Sequence, residues 1–386
     1  MRNQRQFACT IVRGGTSKAV FFKVNELPRD PAARDRIILA VFGSPDVRQI
    51  DGLGGADITT SKVGIIGPST RDDADIDYTF GQPGLLEGVV DYSSNCGNIS
   101  AAVGPYAIDE GMVRAQEPIT TVRIHNTNTK KIMVARVKVK DGFAEVEGDH
   151  VLDGVPGTGA KIELDYSGTV GSATGKLLPT GNAIDAVDVP GFGRIDVSIV
   201  DVANTVAFVR AADLGLKGSE SRPQIMADKA LLTRLEAIRS EAAILCGFIK
   251  RGQNATKDSP LRPMVAFVAA AADYEDYASG KTIRRDAINF MARVMFNQMA
   301  VETYTGTGTI CTTTAARIKG TIVNEVSSDR ESQAGMVRFG HARGINAVEV
   351  DVTWNDGVCT VTKAAFLRTA RRIMDGYVYV PENRAK

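Results

Sequence analysis

The sequence is short of the residues that most often build metal centres and disulfide frameworks. It has five cysteines and three histidines in 386 residues, and no pair of them stands at zinc-finger or redox-motif spacing. The cysteines are odd in number and far apart, which argues against a disulfide scaffold. We therefore expect no metal site, and any catalysis must depend on thiol, lysine, carboxylate or backbone groups.

An excess of charge and long hydrophobic runs are missing as well. With 46 basic and 45 acidic residues, the formal net charge is +1 and no basic block stands out. Binding to nucleic acid or to a membrane surface therefore has little support. No apolar run is long enough to cross a bilayer, and no signal-peptide core follows the charged N-terminal segment. We expect a cytoplasmic protein, long enough for two domains.

β-Branched and alternating segments predict strands in both halves of the chain. Phe7–Val12 and Ala19–Val24 are expected to form a hairpin across the turn Arg13-Gly14-Gly15-Thr16-Ser17. Paired glycines, hydroxyls and a guanidinium make this turn rich in hydrogen-bond donors for an anion. An ordinary glycine hairpin is the alternative.

Three segments carry helix signals. Asp30-Pro31 is typical of a helix start, and that helix is expected to end at Gly43. Asp228–Leu245 and Thr282–Met299 have apolar residues at helical spacing. The last two predict a helical insertion at about 213–300 in the second half of the chain.

The most informative stretch is Ser93–Gly104, where one cysteine stands between asparagines and glycine before a run of small apolar residues. Asn98 is a candidate N-cap, which puts Cys96 at or just before a helix N-terminus. The helix dipole there favours a thiolate, and the first N–H groups can hold a carboxylate. A small buried cysteine is the alternative, but such a residue does not need polar, turn-forming neighbours on both sides.

Lys62 is the second candidate for chemistry. It follows the glycine-dense loop 49–57 and two threonines and a serine, at the mouth of an apolar strand. A lone lysine is usually solvated, whereas one in this setting is partly desolvated. Desolvation favours the neutral amine, which can act as a base.

The second half repeats this layout. Tyr304–Arg317 contains a polar turn, Cys311, hydroxyl residues suited to capping and an alanine-rich helix start. Each half thus combines sheet, a cysteine-bearing turn and a central helix, without self-matching at the level of residues. We interpret this as an architectural duplication.

Two such halves resemble the diaminopimelate epimerase-like fold, and the motifs are closest to its PrpF-type branch. In the first half the matching motifs are Arg13-Gly14-Gly15-Thr16-Ser17-Lys18, Gly43-Ser44-Pro45-Asp46, Gln49-Ile50-Asp51-Gly52, Thr60-Ser61-Lys62, Asn95-Cys96-Gly97-Asn98, Gly104-Pro105, Asp153-Gly154-Val155-Pro156-Gly157-Thr158 and Gly175-Lys176-Leu177-Leu178-Pro179-Thr180-Gly181-Asn182. In the second half they are Asp201-Val202-Ala203-Asn204, the Cys311 turn and Thr369-Ala370-Arg371-Arg372-Ile373-Met374. The resemblance implies an α+β protein of two pseudo-symmetric domains, residues 1–183 and 184–386. Each would wrap a β-barrel-like sheet around one helix, with the active site in the cleft between them.

The resemblance also implies a cofactor-independent isomerase that moves a proton and a double bond in an unsaturated di- or tricarboxylate. Lys62 would be the base, and Cys96 would return the proton or polarise the intermediate. Cys311 would line the pocket without exchanging protons. The residues expected to bind substrate are Arg13, Thr16, Ser17, Ser61, Asn95, Gly97, Asn98, Asn204, Cys311, Thr312 and Thr313. The epimerase's Glu-Arg pair is absent, Glu302-Thr303-Tyr304 standing in its place, which argues against an amino-acid substrate.

Three reactions are consistent with this removal and return of a proton: methylitaconate Δ-isomerisation, 2-methylaconitate cis–trans isomerisation and 4-oxalomesaconate tautomerisation. We place the first ahead because Tyr78-Thr79-Phe80 and Ser93–Ser100 are most similar to that branch. A non-catalytic accessory protein of a partner dehydratase is the alternative from another class. The expected partner is a small di- or tricarboxylate, with no nucleic acid and no membrane, and a homo-oligomer is left open.

Overall fold

The chain divides into two compact units in the computed structural model, which describes residues 3–93 and 95–385. Unit 1 is Met1–Leu164 with Leu367–Lys386, and unit 2 is Asp165–Phe366. The positions outside the description are Met1, Arg2, Ser94 and Lys386. Two expectations touch them: Ser94 belongs to the turn predicted before Cys96, and Met1 and Arg2 to the segment considered for a signal peptide.

This division differs from the predicted boundary between residues 183 and 184. The carboxylate of Asp201 accepts hydrogen bonds from the backbone N–H groups of Ala173 and Thr174, 2.9 and 2.7 Å away. These bonds attach the 171–177 loop to unit 2. At the other end, Ala370–Pro381 pairs with the first strand of the chain over its whole length. That pairing returns the C-terminus to unit 1.

Unit 1 is a mixed sheet around one central helix. Its helices are α1 (Pro31–Phe42), α2 (Gly97–Asp109) and the short C-terminal helix Glu382–Ala385. Its strands are β1 (Gln4–Gly14), β2 (Ser17–Lys23), β3 (Lys62–Pro68), β4 (Ile76–Pro83), β5 (Val90–Asp91), β6 (Ile119–Asn126), β7 (Lys131–Lys140), β8 (Phe143–Ala144), β9 (His150–Val151), β10 (Thr158–Gly159), β11 (Ile162–Asp165) and the C-terminal strand Ala370–Pro381.

Unit 2 is built in the same way. Its helices are α3 (Arg222–Ala227), α4 (Lys229–Leu245), α5 (Ala255–Asp258), α6 (Gly306–Ala315) and α7 (Ile322–Val326). Its strands are β12 (Asp185–Val189), β13 (Gly193–Val202), β14 (Asn204–Arg210), β15 (Met264–Ala270), β16 (Tyr274–Glu275), β17 (Thr282–Ile283), β18 (Phe290–Phe296), β19 (Met299–Ala300), β20 (Met336–His341), β21 (Gly344–Asn355) and β22 (Val358–Arg368). The divisions between the units fall near the ends of β11 and β22.

The two units share one order of strand pairing. In unit 1, β1–β2, β3–β4 and β6–β7 are antiparallel, while β2–β3 and β4–β6 are parallel. In unit 2, β13–β14, β15–β18 and β20–β21 are antiparallel, while β14–β15 and β18–β20 are parallel. α2 precedes β6 and α6 precedes β20, so the two helices are topological counterparts. The predicted α+β duplication, with a sheet and a central helix in each half, is confirmed.

Two of the three predicted helices form as expected. The side chain of Asp30 caps α1 by accepting from the N–H of Ala33, and Gly43 ends it in the left-handed conformation. Lys229–Leu245 is the helix predicted from Asp228, whose side chain caps it. These helices are specified by local signals.

The predicted helix at Thr282–Met299 is wrong. This segment contains β17, a short irregular stretch and β18. Nearly every residue of β18 is buried, on both faces of the strand. Its apolar residues lie on both faces, interrupted by the buried Arg293, so the strand has no alternation and periodicity alone does not distinguish it from a buried helix.

α2 is the core element of unit 1. Almost every residue in it is buried, and most are small. A β-carbon added at Gly104 would lie 3.0 Å from Val137 and 3.1 Å from Ala135, so the helix packs closely on β7. Among the residues described, no helix is both long enough and apolar enough to cross a membrane.

Candidate active site

Cys96 is the N-cap of α2, in an extended conformation with φ −114° and ψ 106°. The prediction that it stands at a helix N-terminus is confirmed, whereas the prediction that Asn98 is the cap is wrong. The thiol caps none of the first-turn amides, and its residue is partly exposed. Gly97 begins the helix, and Asn98 is its second residue. Cys96 therefore lies at the positive end of the dipole of a 13-residue helix, and its own side chain does not cap that helix.

Asn95 holds this turn in place. Its Oδ1 accepts hydrogen bonds from the Cys96 N–H at 2.7 Å and from the Ser100 hydroxyl at 3.1 Å. Its Nδ2 contacts the sulfur of Met133 on β7 at 3.3 Å. Both ends of its amide are thus engaged inside the protein, where they hold the turn at Cys96, and the expected role of Asn95 in binding substrate stays a prediction.

The turn between β1 and β2 packs directly on the first turn of α2. A β-carbon at Gly14 would lie 2.5 Å from the carbonyl oxygen of Asn98, and one at Gly15 would lie 2.3 Å from its Oδ1. Gly15 also has φ +51°, which favours glycine. The Asn98 Nδ2 donates to the Thr16 hydroxyl at 3.0 Å. The glycines are therefore required by close approach, and they bring Thr16 to the N-terminus of α2.

Arg368 is a residue of this cluster that the sequence analysis missed. Its Nε donates to Asn98 Oδ1 at 3.0 Å, and the residue is only 6% exposed. Burial first, and then the charges of Arg368 and Lys161, lower the pKa of nearby His150, which indicates a positive local potential. The Thr369–Met374 motif next to it was noted for the resemblance, but no pattern gave Arg368 itself a role.

Arg13 and Ser17 stabilise the turn. The Nη1 of Arg13 donates to the carbonyl oxygens of Gly15 and Thr369, both at 2.9 Å. Burial first, and then the neighbouring charge of Arg371, lower the pKa of this guanidinium. Ser17 is buried and begins β2, where it pairs with Gly14. The contacts of Arg13 are thus within the protein, and they keep the turn closed on α2.

Lys62 is the first residue of β3 and is only 9% exposed, so the expected desolvation is confirmed. Its Nζ donates to Gln82 Oε1 at 2.7 Å and lies 5.3 Å from the centre of the Phe80 ring. Within residues 3–93 and 95–385, no carboxylate forms an ion pair with it. The amine therefore has a neutral acceptor and an aromatic face as its partners.

Strand pairing places Lys62 near α2. Lys62 pairs with Ala19, only two residues after Ser17 at the start of β2 and three after Thr16 in the turn on α2. In unit 2 the equivalent positions are Met264, first in β15, and Thr305, the N-cap of α6, whose hydroxyl lies 3.4 Å from the Met264 sulfur. In unit 2 the third strand thus begins beside the N-terminus of the central helix, and from the shared topology we expect the same of Lys62 in unit 1.

Ser61 does not belong to this cluster. It is completely buried, and its hydroxyl donates to Gln49 Oε1 at 2.6 Å and accepts from the N–H of Gly55. The same Gln49 oxygen accepts from the N–H of Ala56 at 2.9 Å. Ser61 therefore supports the glycine-dense loop before Lys62, and its expected role in binding substrate stays a prediction.

The predicted turn around Cys311 is wrong. α6 begins at Gly306 with Thr305 as its cap, so Cys311 lies inside the helix. Cys311 is completely buried, and its sulfur donates to the carbonyl oxygen of Val200 at 3.2 Å. Burial raises the pKa of this thiol. Hydroxyl-rich spacing around Cys311 resembled a capping pattern, but the residues that form the cap lie one and a half turns earlier.

Thr312 and Thr313 follow Cys311 into the interior. Thr312 shares a 2.8 Å hydrogen bond with the Tyr304 hydroxyl, and Thr313 donates to the carbonyl oxygen of Thr309 at 2.9 Å. Both are completely buried. Like Cys311, both residues use their side chains for contacts inside the protein, and the expected role of the three in binding substrate stays a prediction.

Asn204 is the counterpart in unit 2 of Ser17 in unit 1, since each begins the second strand of its unit. It begins β14, directly after Ala203, which has φ +60°. Its Oδ1 accepts from the N–H of Thr205 at 2.9 Å, and the residue is 5% exposed. Its expected role in binding a carboxylate stays a prediction.

Comparison with known proteins shows the family to which the chain belongs. The family model described as "PrpF protein" matches residues 4–381. The chain is 52% identical to a 3-methylitaconate isomerase of Eubacterium barkeri and 37% identical to a 2-methyl-aconitate isomerase of Shewanella oneidensis. Each match covers 98% of both chains. The chain therefore belongs to the PrpF family.

Solved structures give the same result for the fold. A crystal structure of a methylitaconate-delta-isomerase matches with a TM-score of 0.87 and 51% identity, covering 100% of this chain and 98% of that one. A hydroxyproline epimerase from Agrobacterium vitis matches with a TM-score of 0.58 at 13% identity, covering 99% and 94%. The second likeness shows that the epimerase-like fold is shared.

Cys96 is expected to react with iodoacetamide before the other four thiols. Burial raises the pKa of Cys359 to about 11 and of Cys246 to about 12, and it also raises the pKa of Cys9 and Cys311. Peptide mass spectrometry after brief alkylation at pH 7.5 measures the order. First labelling of Cys246 or Cys359 would contradict the assignment of Cys96 as the accessible thiol.

Cys311→Ser is expected to affect stability and not catalysis. Serine keeps the hydrogen bond to Val200 but buries a more polar group in a smaller volume, at a cost of about 1–2 kcal/mol in unfolding free energy. Urea unfolding measures that cost, and kcat and KM should stay within about twofold of wild type. A Cys311→Ser protein that folds normally and has lost turnover would reinstate a second catalytic thiol.

Proposed function

We propose that this chain is an isomerase that moves a proton and a double bond within an unsaturated di- or tricarboxylate. The observation that carries the proposal is the buried amine of Lys62, which has neutral partners and stands at the start of β3, the strand that pairs with β2 after the turn on α2. A lysine amine held in place in this way is a candidate general base. Cys96, at the cap of the same helix, supplies the second proton-carrying group.

Methylitaconate is the substrate we propose first. It carries an acidic C–H between a carboxylate and a carbon–carbon double bond. Lys62 takes that proton: the C–H bond breaks, an N–H bond forms, and the electron pair spreads over the allylic system as a dienolate. The thiol of Cys96 then donates its proton to the terminal methylene carbon, and before the next turnover the Lys62 ammonium gives up its proton and the Cys96 thiolate takes one up, so that both groups regain their starting forms. That carbon becomes a methyl group and the double bond shifts inward, which gives dimethylmaleate.

The negative charge that develops in this step needs fixed positive groups. The first-turn N–H groups of α2 supply partial positive charge, and Arg368 adds a buried guanidinium through its bond to Asn98. Thr16 and Asn98 offer a hydroxyl and an amide at the same helix end. We assign carboxylate binding to Thr16, Asn98 and this helix end, with Arg368 behind them. Donors fixed before the reaction stabilise the dienolate more than mobile water does.

The choice of substrate rests on similarity. At 52% identity, the 3-methylitaconate isomerase is much more similar to this chain than the 2-methyl-aconitate isomerase at 37%. 2-Methylaconitate is therefore the second candidate, and the same base and acid would serve it. Parallel assays with both acids decide between them. Turnover of neither acid would contradict the proposal.

Lys62→Met is expected to lower kcat by at least about 10²-fold, because the base is lost while the side-chain volume is kept. Proton NMR of methylitaconate turnover measures the rate, and circular dichroism checks the fold. Lys140→Met, at an exposed position of β7, is the matched control and should keep wild-type kcat. A Lys62→Met protein with wild-type kcat would show that the base lies elsewhere.

A further inference from the structure

We propose that Gln82 is a positioning residue: it holds the amine of Lys62 in place for proton transfer without adding charge. This inference rests on the proposed function of Lys62 as the base. No sequence pattern pointed to Gln82, which lies near the end of β4 as its penultimate residue. The contact is short, with 2.7 Å between Lys62 Nζ and Gln82 Oε1.

The orientation of the Gln82 amide is set by its other bonds. Its Nε2 donates to the carbonyl oxygen of Ser61 at 2.8 Å and to that of Pro83 at 3.3 Å. An amide turned the other way would place Nε2 against the amine and Oε1 against two carbonyl oxygens, leaving repulsive contacts on both sides. The network therefore directs Oε1, an acceptor, at Lys62.

Strand register brings the two side chains together. Val63 pairs with Gly81 between β3 and β4, so Lys62 and Gln82 are adjacent across the strands. Phe80 lies two residues before Gln82, on the same face of β4, and its ring flanks the amine. The Lys62 amine thus has two neighbours on the same face of β4, the Gln82 amide and the Phe80 ring.

A neutral acceptor suits a base better than a carboxylate would. One N–H of the amine donates to Gln82, which limits rotation about the last bond of the side chain. The single lone pair of the neutral amine is then free to point at a substrate. A glutamate in this position would instead stabilise the ammonium form and reduce the fraction that accepts a proton.

The positions in unit 2 that correspond to Lys62, Gln82 and Cys96 contain different residues. Met264 is the counterpart of Lys62, and Thr305 is that of Cys96. The register Val265–Met295 makes Phe296 the counterpart of Gln82. The Thr305 hydroxyl is used to cap α6, accepting from the Gly308 N–H at 3.0 Å. Unit 1 therefore combines the Lys62 amine, the Gln82 amide and the Cys96 thiol, whereas the same positions in unit 2 hold two apolar side chains and a hydroxyl that caps the helix.

Gln82→Glu tests the contact directly. Activity requires the neutral amine, so kcat/KM rises with pH through its titration. A carboxylate in contact with the amine stabilises the ammonium and moves this rise to higher pH, by about one pH unit or more. Gln6→Glu, at an exposed position of β1 in the same unit, adds the same charge and should leave the profile unchanged. An unshifted profile in Gln82→Glu would overturn the proposal.

A second measurement does not depend on turnover. Trace acetylation of the folded protein across a pH series, followed by peptide mass spectrometry, reports when the Lys62 amine becomes nucleophilic. Gln82→Glu should move that curve to higher pH and Gln82→Met should not. If no acid is isomerised but the curve moves, the contact stands and the proposed function fails. If turnover is normal and the curve does not move, the positioning role of Gln82 fails.

Discussion

The close approach of the Gly14-Gly15 turn to the first turn of α2 is the constraint on which the site depends. No side chain fits at either glycine, because the backbone and amide of Asn98 occupy that space. The approach sets the position of β2 relative to the helix, and β2 in turn pairs in parallel with β3. Lys62 and Cys96 lie 34 positions apart in the sequence, and one backbone contact determines how their elements meet. A substitution at these glycines would disturb both.

The duplicated topology explains why one fold can support different proton chemistry. Each unit provides a strand end beside a helix N-terminus, which gathers backbone N–H groups at one place. In unit 1 these positions hold the thiol of Cys96, which does not cap its helix, the amine of Lys62 and the amide of Gln82. In unit 2 the side chain of Thr305 caps the helix, and the other two positions hold Met264 and Phe296. On the proposed function, the groups that transfer protons lie in unit 1, while the matching positions of unit 2 have apolar side chains and a capping threonine.

How much of this the sequence predicts depends on whether the signal is local. Asp30-Pro31 with Gly43, the β1–β2 hairpin and the position of Cys96 follow from caps, turns and β-branched runs, and all three form. Cys311 was misplaced because a hydroxyl-rich run offers several capping threonines, and only packing selects Thr305. The apolar stretch ending at Met299 was misassigned because burial on both faces removes the alternation of a strand.

The residues that the sequence analysis missed are long-range partners. Gln82 is 20 positions from Lys62, and Arg368 is 270 positions from Asn98. In the sequence, neither residue differs from any other glutamine or arginine, because its partner is brought near it only by the folding of distant strands. The position of Lys62 was predictable from its glycine-rich and hydroxyl-rich neighbours, whereas the group that holds its amine was not.

The central claim is that Lys62 removes the proton and Cys96 returns one. Proton NMR of methylitaconate in D₂O, with Cys96→Ser and Lys62→Met measured side by side, separates the two steps. The account predicts that Cys96→Ser still exchanges the acidic C–H for deuterium while forming little dimethylmaleate, and that Lys62→Met does neither. Exchange that persists in Lys62→Met and is lost in Cys96→Ser would contradict it and make the thiolate the base.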